Sequence, residues 1–148
     1  MTPKQIENLK PGSETDAAIE KEFFGEEARS LDGDDVYFYV FQSNGNRRLP
    51  RQFSTRIEEA LKILEASPGW RAWHTPEGIN VQLIVKDPER RDGVDFITGI
   101  GCDNSLALAV CKAALMIRYY IEKWKHDTPI KVEWPPAVSV NPKEDSKA

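Results

Sequence analysis

Apolar and polar positions alternate along this chain with two periods, and the period changes mark the elements. From Ser13, "SETDAAIEKEFFG" has Ser13 or Thr15 placed to cap a helix, acidic residues in its first turn, and Gly25 where it would stop. The pattern predicts a first helix with Ile19, Phe23 and Phe24 turned inward. A β-branched and aromatic run from Val36 to Phe41 follows, then Asn44-Gly45, a strong turn dipeptide, so a strand is expected to end near Ser43. In "FSTRIEEALKILEASPG", Thr55 and Glu58 match a capping box. Ile57, Ala60, Leu61 and Leu64 recur at i, i+3, i+4 and i+7, and Pro68-Gly69 ends this second helix.

The next segments, "WRAWHT", "INVQLIVKD" and "VDFITGIGCD", are separated by "PEG" and "PERRDG" and predict a three-stranded antiparallel meander. Ile79, Val81, Leu83 and Val85 share one face. Asp103, Asn104 or Ser105 then caps a long helix running to about Lys125, with Pro129 beyond it. On a helical wheel, Leu106, Val110, Ala113, Ile117, Tyr120, Ile121 and Trp124 form a stripe that must face the sheet. Leu108, Cys111, Leu115 and Tyr119 form a second stripe on the other side. Either the first helix or a second copy has to cover it, which makes Leu108, Leu115 and Tyr119 possible interface residues. Internal cover and a monomer are expected, with a homodimer as the alternative.

These elements define an α+β fold, an antiparallel sheet of three to four strands packed with helices in the order α-β-α-β-β-β-α. Whether the strand Val36–Phe41 joins the main sheet is left open. Residues 1–12 are expected to be a flexible lead, 13–128 a single domain, and 129–148 a Pro-rich, partly disordered tail. A length of 148 residues fits one domain. With 20 Lys+Arg against 24 Asp+Glu, the chain lacks the basic excess behind most non-specific nucleic-acid affinity. No apolar run approaches the roughly 18 residues of a membrane span, and no signal-peptide stretch opens the chain, so a cytoplasmic location is expected. Cys102 and Cys111 are expected to be buried, inert free thiols.

The candidate chemistry is sparse. Gly99-x-Gly101 precedes a helix, yet the third glycine of a dinucleotide fingerprint and the Gly-Lys-Ser/Thr of a P-loop are both missing. Asp103 also competes for the helix-terminal amides that an anion would use. The two glycines read as close-packing positions. His74 alternates with Arg71 and Trp73, a cluster suited to an anionic or aromatic ligand. His126 stands at a helix C-terminus, where a cation is stabilised. Arg47, Arg48, Arg51 and Arg56 form a basic loop that suits a phosphate-rich partner. No pattern of catalytic, metal-ligating or cofactor-binding residues emerges, so the chain is not expected to be an enzyme.

"LKPGSETDAAIEKEFFG", "LPRQFSTRIEEALKILEA", the strand opened by Trp and Arg, and "NSLALAVCKAALM" together resemble the small tailed-phage and prophage proteins grouped as the phage ABA sandwich domain. Phe53-Ser54-Thr55 stands at that family's Tyr-Ser-Thr element, with Phe53 lacking the hydroxyl. Cys111-Lys112-Ala113-Ala114-Leu115 stands at its Cys-x-Ala-Ala-Leu element. The resemblance spans most of residues 9–118, rests on packing and capping motifs, and implies a phage or prophage origin with no assigned activity. The α-β-β-β-α order is shared with double-stranded-RNA-binding domains, but Asp103-Asn104-Ser105 replaces their basic cluster. The expectation is a non-enzymatic phage accessory protein that binds a host protein or small ligand. The alternative is a nucleic-acid-binding module using the Arg47 to Arg56 loop and Lys112.

Overall fold

The computed structural model describes residues 1–33, 37–86 and 96–126. Among the described residues the element order is α1 (Pro3–Glu7), α2 (Ser13–Glu22), β1 (Glu27–Ser30), β2 (Phe38–Phe41), β3 (Arg47–Arg48), α3 (Ile57–Ala66), β4 (Gly69–Thr75), β5 (Gly78–Lys86), β6 (Phe96–Asp103) and α4 (Leu106–His126). The strands form two three-stranded antiparallel sheets, β1-β2-β3 and β4-β5-β6. The protein is therefore α+β, and the strand expected over Val36–Phe41 belongs to a second, smaller sheet. The tail from residue 129 and Val36 lie outside the described residues.

Helix α4 sits between the large sheet and the other helices. Period-2 alternation puts Val81 and Leu83 of β5 and Ile97 of β6 on the face that α4 covers, and all three are buried. The helix comes close because β6 carries glycine. A Cβ added at Gly101 would fall against the Ala109 carbonyl and the Ala113 amide, and one at Gly99 would lie 2.8 Å from the Ala113 carbonyl oxygen. At its start the Ser105 hydroxyl accepts the Leu108 amide at 3.3 Å, and Asp103 accepts the Ser105 amide at 2.8 Å.

The far side of α4 is covered by α1, α2 and α3, which bury Leu108, Cys111 and Leu115. Helix α1 lies within the stretch expected to be a flexible lead. Thr2 and Gln5 form its capping box, and Ile6 is buried in the core. Helix α2 has two inward sides, with Ile19 toward α4 and Ala17 against Ala28 and Val40 of the small sheet. Its N-cap is Gly12, without a side-chain bond, and the Thr15 hydroxyl donates instead to the Lys10 carbonyl at 2.7 Å.

Helix α3 departs from its sequence pattern at both its cap and its buried face. Its N-cap is Arg56, no side chain caps it, and Thr55 is exposed, so the Thr55–Glu58 capping box does not form. The buried positions are Ala60, Ile63 and Leu64, whereas Ile57 and Leu61 face solvent. Two diagonals of this helix satisfy the same apolar spacing, and packing against α4 selects the one containing Ile63.

Candidate partner-binding site

Asp16, Ile19, Glu20 and Phe23 fall at i, i+3, i+4 and i+7 on α2, so two acids share its inward stripe with two hydrophobes. Both acids are buried. Asp16 accepts the Ser54 amide at 2.8 Å, and the Ser54 hydroxyl accepts the Gly12 amide at 2.9 Å. Glu20 receives Arg48 at 2.8 and 3.2 Å, the Arg51 guanidinium at 2.8 and 3.2 Å, and the Arg51 amide at 2.9 Å. The Arg51 guanidinium also lies over Phe24 and Phe53, at 4.8 and 5.0 Å from their ring centres. Those two rings stack on each other.

This geometry sets the charge of both acids. Burial alone would raise the Glu20 pKa, but side-chain hydrogen bonds from Arg51 and Arg48, the Arg51 amide and the Arg51 charge outweigh it and bring the value down to about 2. Burial pushes Asp16 above its ordinary value against the Ser54 hydrogen bonds, and the Glu20 charge pushes the same way. Arg48 and Arg51 therefore hold the loop before α3 onto α2. They are structural cations, and the expected basic loop is divided among different tasks. Arg56 pairs with Glu58 at 3.3 Å, and Arg47 lies on the other face of the small sheet. Sequence reading missed Asp16 and Glu20, although the stripe that placed Ile19 and Phe23 inward also contains them.

The outer face of the small sheet is built from paired cations and rings. Register places Glu27, Phe41 and Arg47 side by side, with Arg29 opposite Tyr39. Arg29 lies 3.9 Å from the Phe41 ring centre and Arg47 4.8 Å from that of Tyr39. Arg29 and Arg47 are exposed, and so is Tyr37 just before β2. The result is a ribbon of guanidinium groups on aromatic rings, in which Arg29 also pairs with Glu27 at 3.4 Å.

The predicted Arg71–Trp73–His74 cluster is not assembled. Alternation along β4 puts Arg71 and Trp73 on one face, with the guanidinium 4.8 Å from the indole centre, and His74 on the other beside Trp70 and Ala72. Leu108 and Leu115 are buried within the chain, and Tyr119 is half-buried, edge-on to Tyr120. Lys112 is also buried. Its ammonium donates to the Glu7 carbonyl at 2.9 Å, the Cys102 carbonyl at 3.4 Å and Asp103 at 3.2 Å, which ties α1 to the end of β6. Beside it is a cavity of about 400 Å³ lined by Glu7, Ile100, Cys102, Lys112 and Met116. Both cysteines are free, and burial pushes the Cys111 thiol far up, with the Asp16 charge adding to the effect. Cys102 is half-buried. Among the described residues no group of three or more His, Cys, Asp and Glu is placed to hold a metal ion. No helix among them is long and apolar enough to cross a membrane.

No family model matches the chain, and no curated protein matches it. A solved structure of a phage protein from Bacillus cereus ATCC 14579 is similar in fold, with a TM-score of 0.52 and 20% sequence identity. The match covers 79% of this chain and 87% of that one. At this identity the likeness concerns the fold.

Proposed function

We propose that this is a non-enzymatic phage or prophage accessory protein that acts by binding a host protein through the outer face of its small sheet. The observation that carries the reading is the Arg29–Phe41 and Arg47–Tyr39 ribbon. Arginine and aromatic residues dominate the energetics of protein interfaces, and a guanidinium held on a ring loses little freedom when a partner carboxylate binds it. The shared fold with a phage protein supports the origin. The nucleic-acid alternative loses support because Arg48, Arg51 and Lys112 point their charges inward, in a chain of net charge −4.

The test compares the wild-type chain with an Arg29→Glu/Arg47→Glu variant. Both are used to capture partners from bacterial lysate and are titrated with duplex DNA, duplex RNA and single strands over a range of salt. The reading requires a specific protein partner that the variant loses, and no tight nucleic-acid binding. Micromolar nucleic-acid binding that falls steeply with salt, lost in the same variant, replaces it with the alternative.

A further inference from the structure

The large sheet ends in two edges with different surroundings. At the β6 edge, the Cys102 carbonyl is taken by the buried Lys112 ammonium, and a side-chain charge at an edge is a common guard against unwanted pairing. Strand β4, at the other edge, has one neighbour among the described residues, β5. Its sequence "GWRAWHT" contains no Lys or Pro, and its seven residues are a full-length template for another strand. Helix α4 packs over β5 and β6, and among the described residues no element packs closely over the helix-side face of β4. There Trp70 is 50% exposed, and Ala72 and His74 are exposed.

An edge strand that meets its own copy about a twofold axis pairs antiparallel, and directly opposed residues point to the same face. In β4 the register that uses all seven residues sets Ala72 against Ala72 on the axis. Gly69 then faces Thr75, Trp70 faces His74, and Arg71 faces Trp73 of the other copy. The register of greatest length is thus also the complementary one. It sets ring against ring on the helix side and guanidinium against indole on the opposite face, extending the Arg71–Trp73 contact already made within each strand.

We propose that two copies of this chain pair through their β4 edges in this register, joining three strands from each into one continuous sheet. The covered stripe of α4 takes no part, and the outer face of the small sheet stays available.

Sedimentation of the full chain, wild type and variants, tests this. Wild type sediments as a dimer at micromolar concentration, and amide exchange in β4 slows as concentration rises. Ala72→Lys sets two like charges face to face at the axis on a side chain exposed in the single chain, and weakens the dimer by about tenfold or more. Ala72→Glu does the same, and mixing the two variants restores a dimer of one of each. A monomeric wild type whose β4 exchange ignores concentration overturns the proposal. So does an Ala72→Lys chain that dimerises as tightly as wild type.

Discussion

The two sheets are held to the helices by opposite means. The large sheet meets α4 through close backbone approach, with Gly99 and Gly101 against Ala109, Lys112, Ala113 and Ile117. The small sheet has few apolar anchors, with Ala17, Ala28 and Val40 as its buried cluster. The ion pairs of Glu20 with Arg48 and Arg51 complete its attachment. A two-residue strand such as β3 buries too little apolar surface to stay in place, and a buried carboxylate with two arginines supplies direction and register instead. Extent of burial thus decides which means is needed. The close-packed contact is sensitive to volume, and the charged one to protons.

Volume gives the largest effect. Gly101→Ala pushes a methyl group into the Ala109 carbonyl and the Ala113 amide and to 2.7 Å from the Lys112 Cβ, all fixed parts of α4. Helix and sheet must separate, at a cost of about 3 kcal/mol, near the upper end for overpacking. A denaturant midpoint measures this. A loss below about 1 kcal/mol would mean that α4 can slide, and the contrast with the small sheet would weaken.

Protons give the next. Glu20 titrates near 2 in the folded chain against an ordinary 4.5, so its contribution is complete above about pH 4.5 and is lost as pH falls toward 2. That contribution is on the order of 3 kcal/mol. Asp16, whose carboxyl burial holds above 3.8, gains as pH falls and offsets part of the loss. Amide exchange should therefore show β1 and β2 losing protection in this window before β5 and β6. Glu20→Gln should flatten the dependence. Simultaneous loss in both sheets would place the acid sensitivity elsewhere.

The same division explains what was legible in the sequence. Strands β4 to β6 and helix α4 follow from period 2 and period 3.6, because each keeps its pattern over seven residues or more, and the glycines could be recognised as packing positions since no phosphate motif surrounded them. The small sheet could not be assembled. "EARS" of β1 has no apolar alternation, and β3 is the pair Arg47–Arg48. Its anchor joins residues 28 and 31 positions apart, so Arg48 and Arg51 read as a basic loop until Glu20 is placed beside them. On β4 the three candidate residues are neighbours in sequence, yet alternation sends His74 to the other face.

The finest distinction lies where loop meets helix, at Ser54 and Thr55. Sequence spacing assigns the cap of α3 to Thr55, but that residue is exposed in a turn, and the helix begins after an extended Arg56 without a side-chain cap. Ser54 is buried, and its hydroxyl satisfies the Gly12 amide at the start of α2. Ser54→Ala leaves that part-buried donor without its partner and should cost about 1 kcal/mol. Thr55→Ala removes only solvent contacts and should change stability by less than about 0.5 kcal/mol. Midpoints of the two variants measured side by side decide the matter. A larger loss for Thr55→Ala would mean that its hydroxyl does cap α3, and that the loop is fixed by its own helix more than by the acids of α2.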